Sequence, residues 1–246
     1  MAPRRQGRRR ALGQHYLTDP SVTATMVRLA AIEWDDRVLE IGTGRGALTR
    51  ALSGVAERFE AFELDRNNYL ATKELGLDVA LQLGDAFADS REFDVLVSSL
   101  PYSESSNFVE WLSRHRYERA VVLLQRDFVD KLLALPGRDA YRAISVVSQI
   151  SSEVRRERDV PRESFDPPPK VSSVVVVIRP REVLSLDEIR LVKLLFSQRR
   201  RKLSGALKQL GLSTRETDPA QLSRRVQDLA PPDFRGILRQ IVKSGA

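Results

Sequence analysis

The chain has no cysteine and only two histidines, His15 and His115. Without thiols there is no disulfide framework and no thiolate metal site, and two histidines are too few for a histidine-built zinc centre or a convincing Ser/His/Asp triad. No metal is therefore expected. Long apolar runs are missing too: no stretch reaches the roughly 18–20 uncharged apolar residues that a membrane span needs. The first ten residues carry five arginines with no apolar core behind them, which argues against a secretory leader. A cytoplasmic protein is expected. No heptad or obvious unpartnered apolar helix face is visible, so a monomer is expected as well.

Basic charge, by contrast, is present in excess and is segregated. The net charge is +7. Residues 1–10 contribute +5, from Arg4, Arg5, Arg8, Arg9 and Arg10. Residues 179–246 carry 15 Lys/Arg against 7 Asp/Glu, whereas residues 11–178 hold 20 against 26. A merely solvated surface mixes the signs. Basic ends around an acidic body favour a polyanionic partner, most commonly nucleic acid.

Pro20 to Ala31 reads as a helix, with Asp19 as its N-cap and Pro20 in the first turn. Short apolar runs then alternate with helix-like patterns: Arg37–Ile41, Arg58–Phe62, Asp78–Gln82, Phe93–Val97 and Arg119–Leu124. Such alternation predicts a largely parallel sheet covered on both faces. Two further strands, Ser151–Arg156 and Val171–Arg179, would complete it. After Pro180 the pattern becomes helical over 185–208, 218–228 and 231–243, with Ser185, Asp218 and Pro231-Pro232 as start signals. The expected organisation is a basic tail over 1–12, an α/β domain over 13–181 and a small basic helical domain over 182–246.

The run Val38-Leu-Glu-Ile-Gly-Thr-Gly-Arg-Gly46 sets Gly42, Gly44 and Gly46 between a strand and a helix. Glycine there permits a tight turn and close approach of a ligand to the main chain. A plain strand-to-helix turn would also use such residues, and a dinucleotide site would call for G-x-G-x-x-G. The spacing here is G-x-G-x-G, led by Glu40, the variant associated with S-adenosylmethionine. Glu63 falls at the end of the second strand, where a carboxylate can accept both hydrogen bonds of a ribose diol, although acids at strand ends also serve as helix caps and Asp65 stands nearby. Asp85 follows the third strand and could accept from an adenine amino group. The three acids succeed one another at the carboxyl ends of consecutive strands.

Ser98-Ser-Leu-Pro-Tyr-Ser103 follows the fourth strand. Within it, Ser99-Leu100-Pro101-Tyr102 resembles the N/D/S-P/L-P-Y/F motif of methyltransferases that act on exocyclic amines. An adenine amino nitrogen is a poor nucleophile because its lone pair is delocalised into the ring. Two acceptors, the Ser99 side chain and the Leu100 carbonyl, would bind its N–H groups and favour a pyramidal nitrogen. Pro101 shapes the turn, and the Tyr102 ring stacks on the base. An ordinary loop capped by Ser105 is the bland alternative.

Together these motifs resemble the ribosomal RNA adenine dimethyltransferase family, over nearly the whole chain. Its members methylate two adjacent adenines near the 3′ end of small-subunit ribosomal RNA, during ribosome assembly. The resemblance implies a Rossmann-like class I methyltransferase sheet with a small C-terminal helical domain, and S-adenosylmethionine as cofactor. Gly13-Gln-His-Tyr-Leu17 is similar to the family's opening motif, implying that Gln14, His15 and Leu17 line the cofactor beside Glu40, Gly42, Gly44, Glu63, Asp85 and Ser99. Gln125–Leu132 is similar to the segment after its fifth strand. Phe165-Asp-Pro-Pro-Pro-Lys-Val171 is the most specific match and implies that Phe165 stacks against the target adenine, opposite Tyr102. Phe196-Ser-Gln-Arg-Arg-Arg-Lys-Leu203 resembles the basic helix entering the small domain, implying RNA contacts by Arg199, Arg200, Arg201 and Lys202. The family usually has asparagine where this chain has Ser99, which puts efficient addition of the second methyl in question. Two rival readings share the residues: a ribosome-assembly or transcription-type nucleic-acid-binding factor without turnover, and a methyltransferase acting on adenine in large-subunit RNA or DNA.

Overall fold

A computed structural model describes residues 15–88, 91–214 and 217–244, the last three residues of this range by their backbone only. Within these residues the chain forms two compact units. One runs to Phe108 and adds His115–Phe128 and Val154–Pro180; the other comprises Val109–Arg114, Val129–Glu153 and the chain from Arg181 onward.

The first unit begins with the two-residue strand β1 (Tyr16–Leu17) and helix α1 (Pro20–Ala30), whose cap is Asp19 accepting from the Ser21 amide at 2.9 Å. In chain order there follow β2 (Arg37–Ile41), α2 (Ala47–Leu52), β3 (Arg58–Glu63), α3 (Arg66–Lys73), β4 (Ala80–Leu83), β5 (Val95–Ser98), α4 (Ser105–Leu112), β6 (Arg119–Gln125), α5 (Arg126–Leu132), then α6 (Ala143–Ser151), which belongs to the second unit, and β7 (Ser152–Val160), β8 (Phe165–Asp166) and β9 (Ser173–Pro180). The main sheet has seven strands in the order β4-β3-β2-β5-β6-β9-β7. Strands β2 to β6 run parallel, and β9 is antiparallel to β6.

Alternate residues of the central strands explain the burial. Val38, Val95, Val97, Val121, Leu123, Val175 and Val177 join Met26 and Ala30 of α1 and Leu48 and Leu52 of α2 in one core. Their neighbours Leu39, Leu96, Val122, Leu124, Val174 and Val176 are buried as well. A sheet buried on both faces gives the continuous apolar runs seen in the sequence. The chain order reverses between β2 and β5, and a crevice opens there at the carboxyl ends of the strands, the usual ligand position in such sheets.

The second unit is held by Tyr141, Phe196 and Phe234 packed with Val146, Ile189, Leu195, Leu203, Leu207 and Leu238. Its helices include α7 (Leu186–Ser197), α8 (Leu203–Gln209), α9 (Pro219–Ser223) and α10 (Pro231–Ser244). Two expected helices are shorter than their patterns. The 185–208 pattern breaks at Gln198–Lys202 because that turn pairs with a distant segment: Leu203 N–H donates to Arg224, Val226 N–H to Arg201 and Gln227 N–H to Arg199. The same pairing draws Arg224 and Arg225 out of the 218–228 helix. Among the described residues no helix is long and apolar enough to cross a membrane.

Candidate active site

Each parallel strand delivers one piece of the site at its carboxyl end. The crevice is a cavity of about 330 Å³ lined by Gly42 and Gly44 after β2, Glu63 at the end of β3, Asp85 after β4 and Ser99–Tyr102 after β5. His15, Tyr16 and Phe165 line it as well. A smaller recess adjoins it, bordered by Leu17, Glu40, Thr43, Arg45 and Leu48, and it shares His15, Tyr16, Gly42, Gly44 and Ser99 with the larger cavity. Gln14 and the arginine arm lie outside the described residues.

Gly44 has φ of +56°, and a Cβ there would stand 3.2 Å from Tyr16 Cδ1, so both backbone and packing demand glycine. The turn it makes aims its N–H at Glu63, whose Oε2 accepts at 2.8 Å, while Glu63 Oε1 accepts from Asp65 N–H at 2.8 Å. Asp65, not Glu63, caps α3 by accepting from the Asn67 and Asn68 amides. The Thr43 hydroxyl also donates to Oε2, at 3.4 Å, so Oε1 keeps the freer lone pair for a ligand hydroxyl. Burial raises the Glu63 pKa, and the amides of Asp65 and Gly44 oppose that rise. Asp85 is exposed and accepts from Phe87 N–H at 2.8 Å through one oxygen.

Glu40 is the unusual group. It is fully buried, and neither carboxyl oxygen has a partner at normal hydrogen-bond geometry among the described residues, with Thr49 close by as a weak donor. Burial pushes its pKa up to about 8; Thr49 beside it opposes the rise and repulsion from Glu63 adds to it. An unsatisfied buried carboxyl is costly. At the edge of a recess it can receive a cationic ligand group, and the charge of an ammonium would restore its ionisation. Ammonium, ribose diol and adenine amine are the donor groups of S-adenosylmethionine. The three carboxylates Glu40, Glu63 and Asp85, none of them in an ion pair among the described residues, offer the matching acceptors, so the residues present fit that cofactor.

The two serines after β5 have separate tasks. Ser98 is buried and donates to the Ile41 carbonyl at 2.6 Å, tying β5 to β2. Ser99 makes no side-chain hydrogen bond among the described residues and stands where the two cavities meet. Tyr102 hydrogen-bonds Ser173 Oγ at 2.6 Å, and its ring lies 5.7 Å from that of His15. Phe165 forms part of the wall but is only 3% exposed, leaving little of its ring for a base to lie on. Ser105 caps nothing: it is the first residue of α4, and its hydroxyl is buried without a partner among the described residues.

The opening and the Phe-Asp-Pro-Pro-Pro motifs meet although they are far apart in the chain. Strands β1 and β8 pair, with Tyr16 opposite Asp166 and Leu17 opposite Phe165. His15 Nδ1 lies 2.8 Å from the Pro167 carbonyl, and Thr18 N–H donates to the Ser164 carbonyl at 2.9 Å. Sequence reasoning missed Tyr16, Asn68, Glu104 and Asn107, which also line the crevice. The charged Arg200, Arg201 and Lys202 are exposed and Arg199 is half-buried, all in the turn between α7 and α8; none of the four is ion-paired among the described residues.

Comparison with known proteins decides the family. The family model described as ribosomal RNA adenine dimethylase matches residues 5–231. The chain belongs to this family. As a member of the adenine dimethylase family it is an S-adenosylmethionine-dependent ribosomal RNA methyltransferase on a class I methyltransferase fold. It is 36% identical over 220 residues to a ribosomal RNA small subunit methyltransferase A of Phenylobacterium zucineum, covering 82% of this chain and 77% of the relative. The crystal structure of a dimethyladenosine transferase from Plasmodium falciparum superposes with a TM-score of 0.79 at 26% identity, covering 94% of this chain and 98% of that one. A 23S rRNA methyltransferase, ErmE, shares the fold, with a TM-score of 0.64 at 21% identity over 92% of this chain and 99% of that one.

Proposed function

We infer that this adenine dimethylase family member acts on small-subunit ribosomal RNA, adding two methyl groups to N6 of each of two adjacent adenosines near its 3′ end, during subunit assembly in the cytoplasm. It works as a monomer and without a metal ion. The observation that carries the reading is the junction at Ser99: an unpartnered acceptor standing where a cavity lined by Glu63 and Asp85 meets a recess bordered by Glu40.

When bound, S-adenosylmethionine supplies an electrophilic methyl group. The residues of the chain bind and orient. Glu40 would receive the ammonium, Glu63 the ribose hydroxyls and Asp85 the adenine amine, while His15, Leu17, Gly42 and Gly44 line the pocket. Ser99 Oγ and the Leu100 carbonyl accept from the target amino group, which holds its nitrogen lone pair toward the recess. Pro101 sets the turn and Tyr102 carries the base. Phe165 backs the base site, and a ring movement toward the cavity would give it a stacking face. The base must leave its stack to reach Ser99. No strong base is needed, because the methylated amine loses its proton readily to water. Arg199, Arg200, Arg201 and Lys202 hold RNA phosphates, which positions the substrate by shape.

The reading is tested with labelled S-adenosylmethionine and small subunits that lack the modification, run beside large subunits and naked RNA. Label entering small subunits alone is the expected result. Label entering large-subunit RNA alone would overturn it.

A further inference from the structure

The strap formed by β1 and β8 borders the crevice, with Tyr16 and Phe165 in its lining, and side chains of both strands contact neighbouring elements. Tyr16 lies over Gly44, and its hydroxyl donates to Asn68 Oδ1 of α3 at 3.1 Å. Arg45, in the glycine turn, places its guanidinium 4.2 Å from the centre of the Tyr16 ring and pairs with Asp166 of the strap at 2.7 Å. Glycine turn, strap and α3 are thus joined around the ribose-binding carboxylate Glu63. Asn68 is buried, whereas the Arg45 and Asp166 side chains are more than half exposed. Exposed ion pairs are weak and screened by salt, so this one can open without unfolding its surroundings.

We propose that Tyr16 is a cofactor-retaining residue, held closed by Asn68 on one side and by the Arg45–Asp166 pair on the other, and that this latch sets how fast S-adenosylmethionine and its demethylated product leave. The inference rests on the reading of the crevice as the cofactor site. A second methyl transfer requires the product of the first to be exchanged. A latch that opens without global unfolding would permit that exchange while keeping water from the site during each transfer.

The test follows release of tritiated S-adenosylhomocysteine from the full-length protein after a chase with unlabelled compound, at low and high salt. Tyr16→Phe keeps the ring and removes the bond to Asn68. Asp166→Asn keeps the guanidinium over the ring and removes the charge pair. Release is expected to quicken roughly threefold to tenfold in Tyr16→Phe, the size of one lost hydrogen bond, with the association rate little changed. Wild-type release is expected to quicken with salt, and Asp166→Asn is expected to be fast already at low salt and indifferent to it. Release rates in both variants equal to wild type at every salt concentration would overturn the latch while leaving the cofactor site standing. Failure of the wild-type protein to bind S-adenosylhomocysteine at all would overturn the cofactor site, and the latch with it.

Discussion

Replacing Glu40 by glutamine separates stability from function. The wild-type carboxyl is fully buried, without a partner at normal hydrogen-bond geometry among the described residues and driven up to a pKa of about 8 from an ordinary value of 4.5. Its folded-state pKa therefore lies above its unfolded one. Between pH 4.5 and 8 the folded protein holds a proton that the unfolded chain has released, so the contribution of Glu40 to stability is fully present below pH 4.5 and is lost as pH rises through 8. The slope is about 1.4 kcal/mol per pH unit for one proton. Across that window the loss reaches a ceiling of ~5 kcal/mol, against a total stability of ~5–15 kcal/mol for a typical domain. Glutamine matches the shape of the neutral acid and does not ionise in the unfolded state. Urea denaturation of the ligand-free proteins should show the two nearly equal near pH 4.5, with the variant increasingly the more stable up to pH 8. Calorimetric titration with S-adenosylhomocysteine should show the reverse preference, a loss of ~10–100-fold in affinity as a charge-assisted bond to the ammonium disappears. Parallel stability curves for the two proteins, or unchanged affinity, would refute the reasoning.

Ser99→Asn lengthens the acceptor by one bond, about 1 Å, and a misplacement of that size can cost ~10²-fold in rate; single-turnover methylation should be faster in the variant, most visibly for the second methyl. Gly44→Ala forces a side chain into left-handed backbone and against Tyr16, so weaker S-adenosylhomocysteine binding and a stability loss of ~1 kcal/mol or more are expected, read by calorimetry and urea denaturation. Changing Arg199, Arg200 and Arg201 together to alanine should weaken subunit binding and flatten its salt dependence by ~0.7–0.9 in log–log slope for each phosphate no longer neutralised, with affinity for S-adenosylhomocysteine unaffected.

Much of this molecule is legible in its sequence because the parallel sheet is buried on both faces. Segments such as Ala120–Leu124 read as unbroken apolar runs, and acids near the carboxyl ends of the strands fall where ligands bind. The cap signals are also local: Asp19 and Asp218 cap α1 and α9, and Ser185 forms a capping box with Glu188 on α7. What is not legible depends on pairing over long distances. In the helix pattern over 185–208 the apolar residues Phe196 and Leu203 stand seven positions apart on either side of the basic turn, a spacing that keeps helical phase, and only the ladder to residues 224–227 makes the break worthwhile. The pairing of Thr18 with Ser164, 146 positions apart, has no local signal. The motif singles out Ser99, and Glu63 is read beside Asp65, but what Ser98 and Asp65 do instead depends on which partner the neighbouring strand or helix presents. Nor could it reveal the unsatisfied burial of Glu40, a property of its surroundings.

The most direct test of the proposed activity is nucleoside and fragment mass analysis of small-subunit RNA after exhaustive reaction with this protein. The expected product is N6,N6-dimethyladenosine at two adjacent positions in the 3′ region. Monomethyladenosine alone, or methylation confined to a single adenosine, would contradict it.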